Sequence, residues 1–174
     1  MCLPIPESHR DLLARPIHGV LATMMPDGQP QASLVWCDFD GECARVNTTA
    51  ERQKGRNMAS NPRVTLLIVD PDDTSRYIEI RGTAELVENG VEEHLDDITR
   101  QYTAHPRYYG YVYPEAQRDR ETRLIARIHA TKITLDAIHR SKTGATHFPK
   151  CVAPMKVGGS QTRPYRAYSR GSPA

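Results

Sequence analysis

The chain has 174 residues, 39% of them apolar, and a formal net charge of +2. That length gives one domain a real core and falls short of the usual size for two. No window of about 18 apolar residues exists, so no helix that spans a membrane is expected. The charge is uneven: seven of the 23 Lys and Arg, and none of the 21 Asp and Glu, lie from Arg140 onward. Residues 1–139 therefore carry 16 bases against 21 acids, a net of −5 beneath a basic tail.

The opening "MCLPIPESHRDLL" has acids and prolines where a signal peptide needs a basic start and an apolar run, so a cytoplasmic protein is expected. Within it, Pro6 to Ala14 reads as a short amphipathic helix. Val20, Leu21, Ala22 and Met24 then form a buried-strand run. Asp27-Gly28 and Asp40-Gly41 are two-residue turn signals, and between them Gln31, Ser33 and Val35 alternate with Ala32, Leu34 and Trp36. The first third is thus predicted as a three-stranded antiparallel meander over 17–25, 29–39 and 42–48.

Next comes "NTTAERQKGRNMASNP", Asn47 to Pro62, in which Thr48 and Glu51 have capping-box spacing and Asn61-Pro62 stops the helix. "RVTLLIVD" is a fourth strand and "PDDTS" a loop. "RYIEIRGTAELVE" is a half-exposed fifth strand with a bulge or bend at Gly82. "GVEEHLDDITRQYT" puts Val91, Leu95, Ile98 and Tyr102 on one helical face. A Tyr-rich irregular stretch, "AHPRYYGYVYPEAQ", leads to a long sixth strand, "TRLIARIHATKITLDAI", with a break expected near His129. Six antiparallel strands in so short a chain most economically close into a barrel, which removes exposed edges. The fold class expected is mainly β: a six-stranded antiparallel split β-barrel with a few helices over residues 1–139. Residues 140–174, rich in Gly, Pro, Ser and Thr, are expected to be a disordered basic tail.

Cys2, Cys37, Cys43 and Cys151 follow no CxxC or zinc spacing, and the reading is reduced thiols, with Cys37 and Cys43 brought close by a hairpin turn. The seven His residues are scattered, and no metal site is expected.

The helix after Asn47 carries the chemistry. A helix N-terminus offers unpaired N–H groups and partial positive charge, so it attracts anions. Cations there are disfavoured by a few tenths of a kcal/mol unless an anion is bound. Arg52 and Lys54 in the first turns, behind Asn47, Thr48 and Thr49, therefore read as a phosphate clamp. The competing reading is a solvated cationic face paired with Glu51.

The motifs in order, "GVLATMMPDGQPQASLVWCDFDGE", "RVNTTAERQKGRNMASNPRVTLLIVDPDD" and "YIEIRGTAELV", resemble the split-barrel flavoprotein superfamily of pyridoxamine 5'-phosphate oxidase over roughly residues 8–139. Arg52, Lys54, Arg56 and Asn57 are most similar to its branch that uses the deazaflavin coenzyme F420. The oxidases proper carry phosphate-binding cations at the positions of Gln31, Trp36 and Gln53, so this chain departs from them. The resemblance implies an oxidoreductase that transfers a hydride between reduced F420 and an unsaturated or oxidised small molecule. The alternatives are FMN as the cofactor, or a flavin- or haem-binding carrier without turnover. It also implies a cofactor-binding set of Gln31, Ser33, Val35, Asn47, Thr48, Thr49, Arg52, Lys54, Arg56 and Asn57, and a homodimer with the cofactor between subunits. Tyr77, Tyr108, Tyr109, Tyr111 and Tyr113 are candidates for substrate contacts. Nucleic acid is not an expected partner, because the body is acidic and no base-reading motif occurs.

Overall fold

A computed structural model describes residues 3–136. Seven strands make one sheet: β1 (Gly19–Met24), β2 (Pro30–Val35), β3 (Cys37–Phe39), β4 (Ala44–Thr49), β5 (Arg63–Val69), β6 (Tyr77–Val87) and β7 (Arg123–Leu135). Three helices accompany them: α1 (Asp11–Ala14), α2 (Gln53–Ser60) and α3 (Val91–Thr103). The sheet order is β2-β1-β5-β6-β7-β4-β3 and every pairing is antiparallel.

The mainly β class is as expected, but the strand count is seven rather than six. The run 29–39, read as one strand, is interrupted at Trp36. Its first half pairs with β1 and its second with β4. The two outer strands of the sheet are therefore neighbours in the chain, one residue apart, which requires the sheet to curl until its edges approach. Tyr102 of α3 secures the bend: its hydroxyl accepts from the Cys37 N–H at 3.1 Å and donates to the Ile17 carbonyl at 2.7 Å.

The core lies inside the curl. Alternation along β5 points Val64, Leu66 and Ile68 inward, and β6 adds Ile78 and Ile80. Ile5, Leu12 and Leu13 pack against them from the N-terminal segment, where the expected single helix is a 3-10 turn, Glu7–His9, followed by α1. Strand β7 runs unbroken through His129. The bulge or bend expected at Gly82 is present, as a register shift between Arg81 and Gly82. A Cβ on Gly82 would stand 2.1 Å from the His129 carbonyl oxygen, so the strands approach too closely for any other residue. The expected tail from residue 140 onward lies outside the described residues. No helix among those described is long and apolar enough to cross a membrane.

Cys37 and Cys43 are both buried but have different neighbours: the Tyr102 hydroxyl at 3.9 Å for Cys37, and Nδ1 of His129 at 3.6 Å for Cys43. Burial pushes the Cys37 thiol up to about 11.

Candidate functional site

Three residues separate the end of β4 from the start of α2, and the helix's glycine explains how tightly it sits. A Cβ on Gly55 would lie 2.1 Å from the Thr49 carbonyl oxygen. The first turn of α2 therefore packs directly on the end of β4. The expected capping box does not form. Arg52 is the N-cap residue, with extended backbone and no side-chain cap, and the Glu51 carboxylate instead accepts from the Thr122 N–H at 3.0 Å. Strand β4 runs on through Thr49, which holds Thr48 in the ladder with Leu124 and too early in the chain to cap. Among the described residues, no side chain of the N-cap satisfies the N–H groups that open α2.

Beside this helix end lies a cleft of about 350 Å³. Its polar lining is Asn47, Arg52, Lys54 and Arg123, and its apolar lining includes Leu34, Val35, Trp36, Leu95, Ile98 and Tyr108. Several elements contribute. Strands β2, β4 and β7 supply Val35, Asn47 and Arg123. Helix α3 supplies Leu95 and Ile98, as its apolar face predicts, and the α3–β7 connection adds Tyr108.

Burial, followed by repulsion from Arg52, lowers the pKa of half-buried Lys54, and no carboxylate offsets either effect. Lys54 has no ion-pair partner among the described residues. Arg52 reaches only the Glu121 carboxylate, at 4.0 Å. Arg123 is different, because its charge is already matched. Its guanidinium pairs with Glu121 at 2.7 Å, donates to the Tyr109 hydroxyl at 2.8 Å and to Asn47 Oδ1 at 3.3 Å, and lies 4.7 Å from the Tyr108 ring centroid. The cleft therefore holds two cations with little or no local neutralisation, next to a helix N-terminus. It can take a small anion at the cations and an apolar body against the apolar lining.

Four of the ten residues expected to bind a cofactor line this cleft: Val35, Asn47, Arg52 and Lys54. The other six lie elsewhere. Asn57 is buried and donates to Thr23 Oγ1 at 3.0 Å and to Gln31 Oε1 at 3.2 Å, so Asn57 and Gln31 fasten α2 to β1 and β2. Thr48 and Thr49 are buried in β4, and Thr48 Oγ1 has no hydrogen-bond partner. Ser33 Oγ on β2 is likewise buried and unpartnered. Arg56 is exposed and folds back onto the Glu51 carbonyl and Gln53 Oε1. Among the tyrosines, Tyr108 lines the cleft, Tyr109 is buried under it, Tyr111 and Tyr113 are exposed, and Tyr77 is half-buried in β6. Arg123, Trp36, His18, Leu95 and Ile98 line the cleft without having been proposed for it. An arginine at the head of the apolar run "RLIARI" was a readable signal for Arg123; nothing local marks His18.

The family model for pyridoxamine 5'-phosphate oxidase matches residues 5–135. The chain belongs to this family. Among solved structures, an F420 reductase is 34% identical, covering 75% of this chain and 98% of its own, with a TM-score of 0.62. A conserved hypothetical protein from Mycobacterium tuberculosis is 30% identical over 91% of this chain and 95% of its own, also at 0.62. The general stress protein 26 of Bacillus anthracis shares the fold at 19% identity, over 75% of this chain and 92% of its own, with a TM-score of 0.55. In this pyridoxamine 5'-phosphate oxidase family member, the cations expected from the resemblance reduce at the cleft to Arg52 and Lys54.

Proposed function

We propose that the chain is an oxidoreductase that transfers a hydride between reduced F420 and an unsaturated or oxidised small molecule. The observation that carries this reading is the placement of Arg52 and unneutralised Lys54 at the α2 N-terminus in one cleft with the apolar Val35, Trp36, Leu95 and Ile98. The cleft volume is that of a small-molecule site. The residues present fit a ring with a phosphorylated chain. Arg52 and Lys54 would hold the phosphate by charge-assisted hydrogen bonds, helped by the free N–H groups of α2. The apolar wall would hold the ring and keep water from it. The cofactor supplies the hydride when bound, and the protein supplies binding, orientation and exclusion of solvent.

The likeness to an F420 reductase supports the deazaflavin over FMN, as does the loss of cations at Gln31, Trp36 and Gln53. FMN is the alternative, favoured by the family as a whole and by a cleft chemistry that suits either tricyclic ring. The reading includes a homodimer with the cofactor between subunits. A hollow of about 780 Å³ on β1, β5 and β6, lined by Thr23, Arg63, Thr65, Arg81 and Thr83, offers a second copy a surface.

The test is a fluorescence titration of the purified chain with F420 and, separately, with FMN. Saturable binding that is tighter for F420 is expected. Stoichiometric FMN retained through purification, with no response to F420, would replace the assignment with the alternative.

A further inference from the structure

The inference concerns one wall of the same cleft and rests on its reading as a ring-binding site. His18 immediately precedes β1, and Trp36 sits at the bend between β2 and β3. The indole Nε1–H of Trp36 donates to Nε2 of His18 at 3.1 Å. An indole nitrogen is a donor only, so Nε2 carries no proton and the neutral imidazole keeps its proton on Nδ1. Tyr102 holds the pair in place. Its ring stacks on Trp36 at 5.2 Å and meets His18 edge-on at 5.4 Å, and its hydroxyl is tied to the carbonyl of Ile17, the residue before His18. His18 is exposed and lines the cleft beside Leu34, Val35 and Trp36. With the Trp36 N–H engaged, the side-chain donor left beside Leu34, Val35 and Trp36 is the Nδ1–H of His18.

We propose that His18 is the positioning and specificity residue of the cleft: its Nδ1–H donates to an acceptor atom, a carbonyl oxygen or an unprotonated nitrogen, on the bound ring. Trp36 then has a double role, as the flat surface for the ring and as the group that sets the His18 tautomer.

Trp36 is the sole tryptophan of the chain, so intrinsic emission reports on this pair. F420 and FMN are titrated at neutral pH into the full chain, His18→Phe and His18→Gln, with Trp36 emission as the readout. His18→Phe, which keeps a flat ring and loses the donor, should bind the preferred ring about tenfold more weakly. His18→Gln, which keeps an N–H donor, should recover most of that loss. A role in packing alone would make Phe the better replacement, and that result overturns the proposal. So does unchanged affinity in His18→Phe. A wild-type chain that binds neither ring overturns it through the underlying reading, whereas normal wild-type binding with an indifferent His18→Phe overturns it alone.

Discussion

Arg123 and Glu121 form an ion pair of 2.7 Å in the wall of the cleft, their side chains only 6% and 13% exposed. Tyr109 closes a triangle by donating to Glu121 while accepting from Arg123. Removing one partner of such a pair strands a charge away from water, whereas removing both need not. Arg123→Met should destabilise the protein by about 3 kcal/mol. The double variant Arg123→Met with Glu121→Gln should regain part of that loss. Urea denaturation of the three proteins checks this; additive losses would show that the pair is not coupled.

Lys54 should behave in the opposite way. Burial first, and Arg52 second, lower its pKa from 10.5. The unfolded chain therefore holds this proton more readily than the folded one. The charge opposes folding below the folded-state pKa, and the opposition fades as pH rises towards the unfolded value. Lys54→Met should leave stability at neutral pH unchanged or raised. It should flatten the rise in stability between the lowered pKa and 10.5. Cofactor affinity should fall by tenfold to a hundredfold, as loss of a charge-assisted bond of about 1.5–3 kcal/mol implies. Thermal melts from neutral to alkaline pH, with a binding titration alongside, separate the two effects.

Asn57 acts through structure. It bonds Thr23, Gln31 and Gln53 from a buried position. Asn57→Ala should cost about 2 kcal/mol by leaving those groups unpaired. Any loss of cofactor affinity should follow from displacement of α2 and appear in the same variant as lower protection of α2 amides in hydrogen exchange. Weaker binding with full stability would instead make Asn57 a direct ligand.

Gly55→Ala tests how α2 is seated. The added methyl would meet the Thr49 carbonyl oxygen at 2.1 Å, which is backbone and cannot swing aside. A loss of about 1–3 kcal/mol is expected. Binding should weaken too, because Arg52 and Lys54 move with the helix. A melting temperature equal to the wild type's would contradict this packing.

At acid pH the outer face of the fold should give way through Asp70. The Arg76 guanidinium first, and Arg15 second, hold its carboxyl down to about 2 from an ordinary 3.8. A depressed acid contributes stability above the unfolded value and loses it as pH falls through the folded one. The drop in urea midpoint between about pH 4 and 2 should be shallower in Asp70→Asn than in the wild type.

The sequence made the fold legible where pattern and turn chemistry agreed. Asp27-Gly28 and Asp40-Gly41 located two hairpins, and both glycines have positive φ, as such turns require. The apolar face of α3 was readable from Leu95, Ile98 and Tyr102. The break at Trp36 was not, because the alternation of side chains continues through it. What divides the strand is a long-range contact, the Tyr102 hydroxyl on Cys37, 65 residues away. The site was partly legible for the same reason. Local charge pointed to Arg52 and Lys54. By contrast, whether Asn57 and Gln31 face a ligand or each other depends on how α2 docks on β1 and β2. His18 and Arg123 join the cleft only through the curl of the sheet.

The central claim is that Arg52 and Lys54 hold the phosphate of a tricyclic cofactor. Its most direct test compares the dissociation constants of F420 and of its deazaflavin chromophore lacking the phosphate-bearing tail, in the wild type and in Lys54→Met. The wild type should prefer the phosphorylated molecule by at least about tenfold, and that preference should collapse in Lys54→Met while affinity for the bare chromophore is kept. An equal preference in both proteins would contradict the phosphate clamp and return Lys54 to a solvated cationic face.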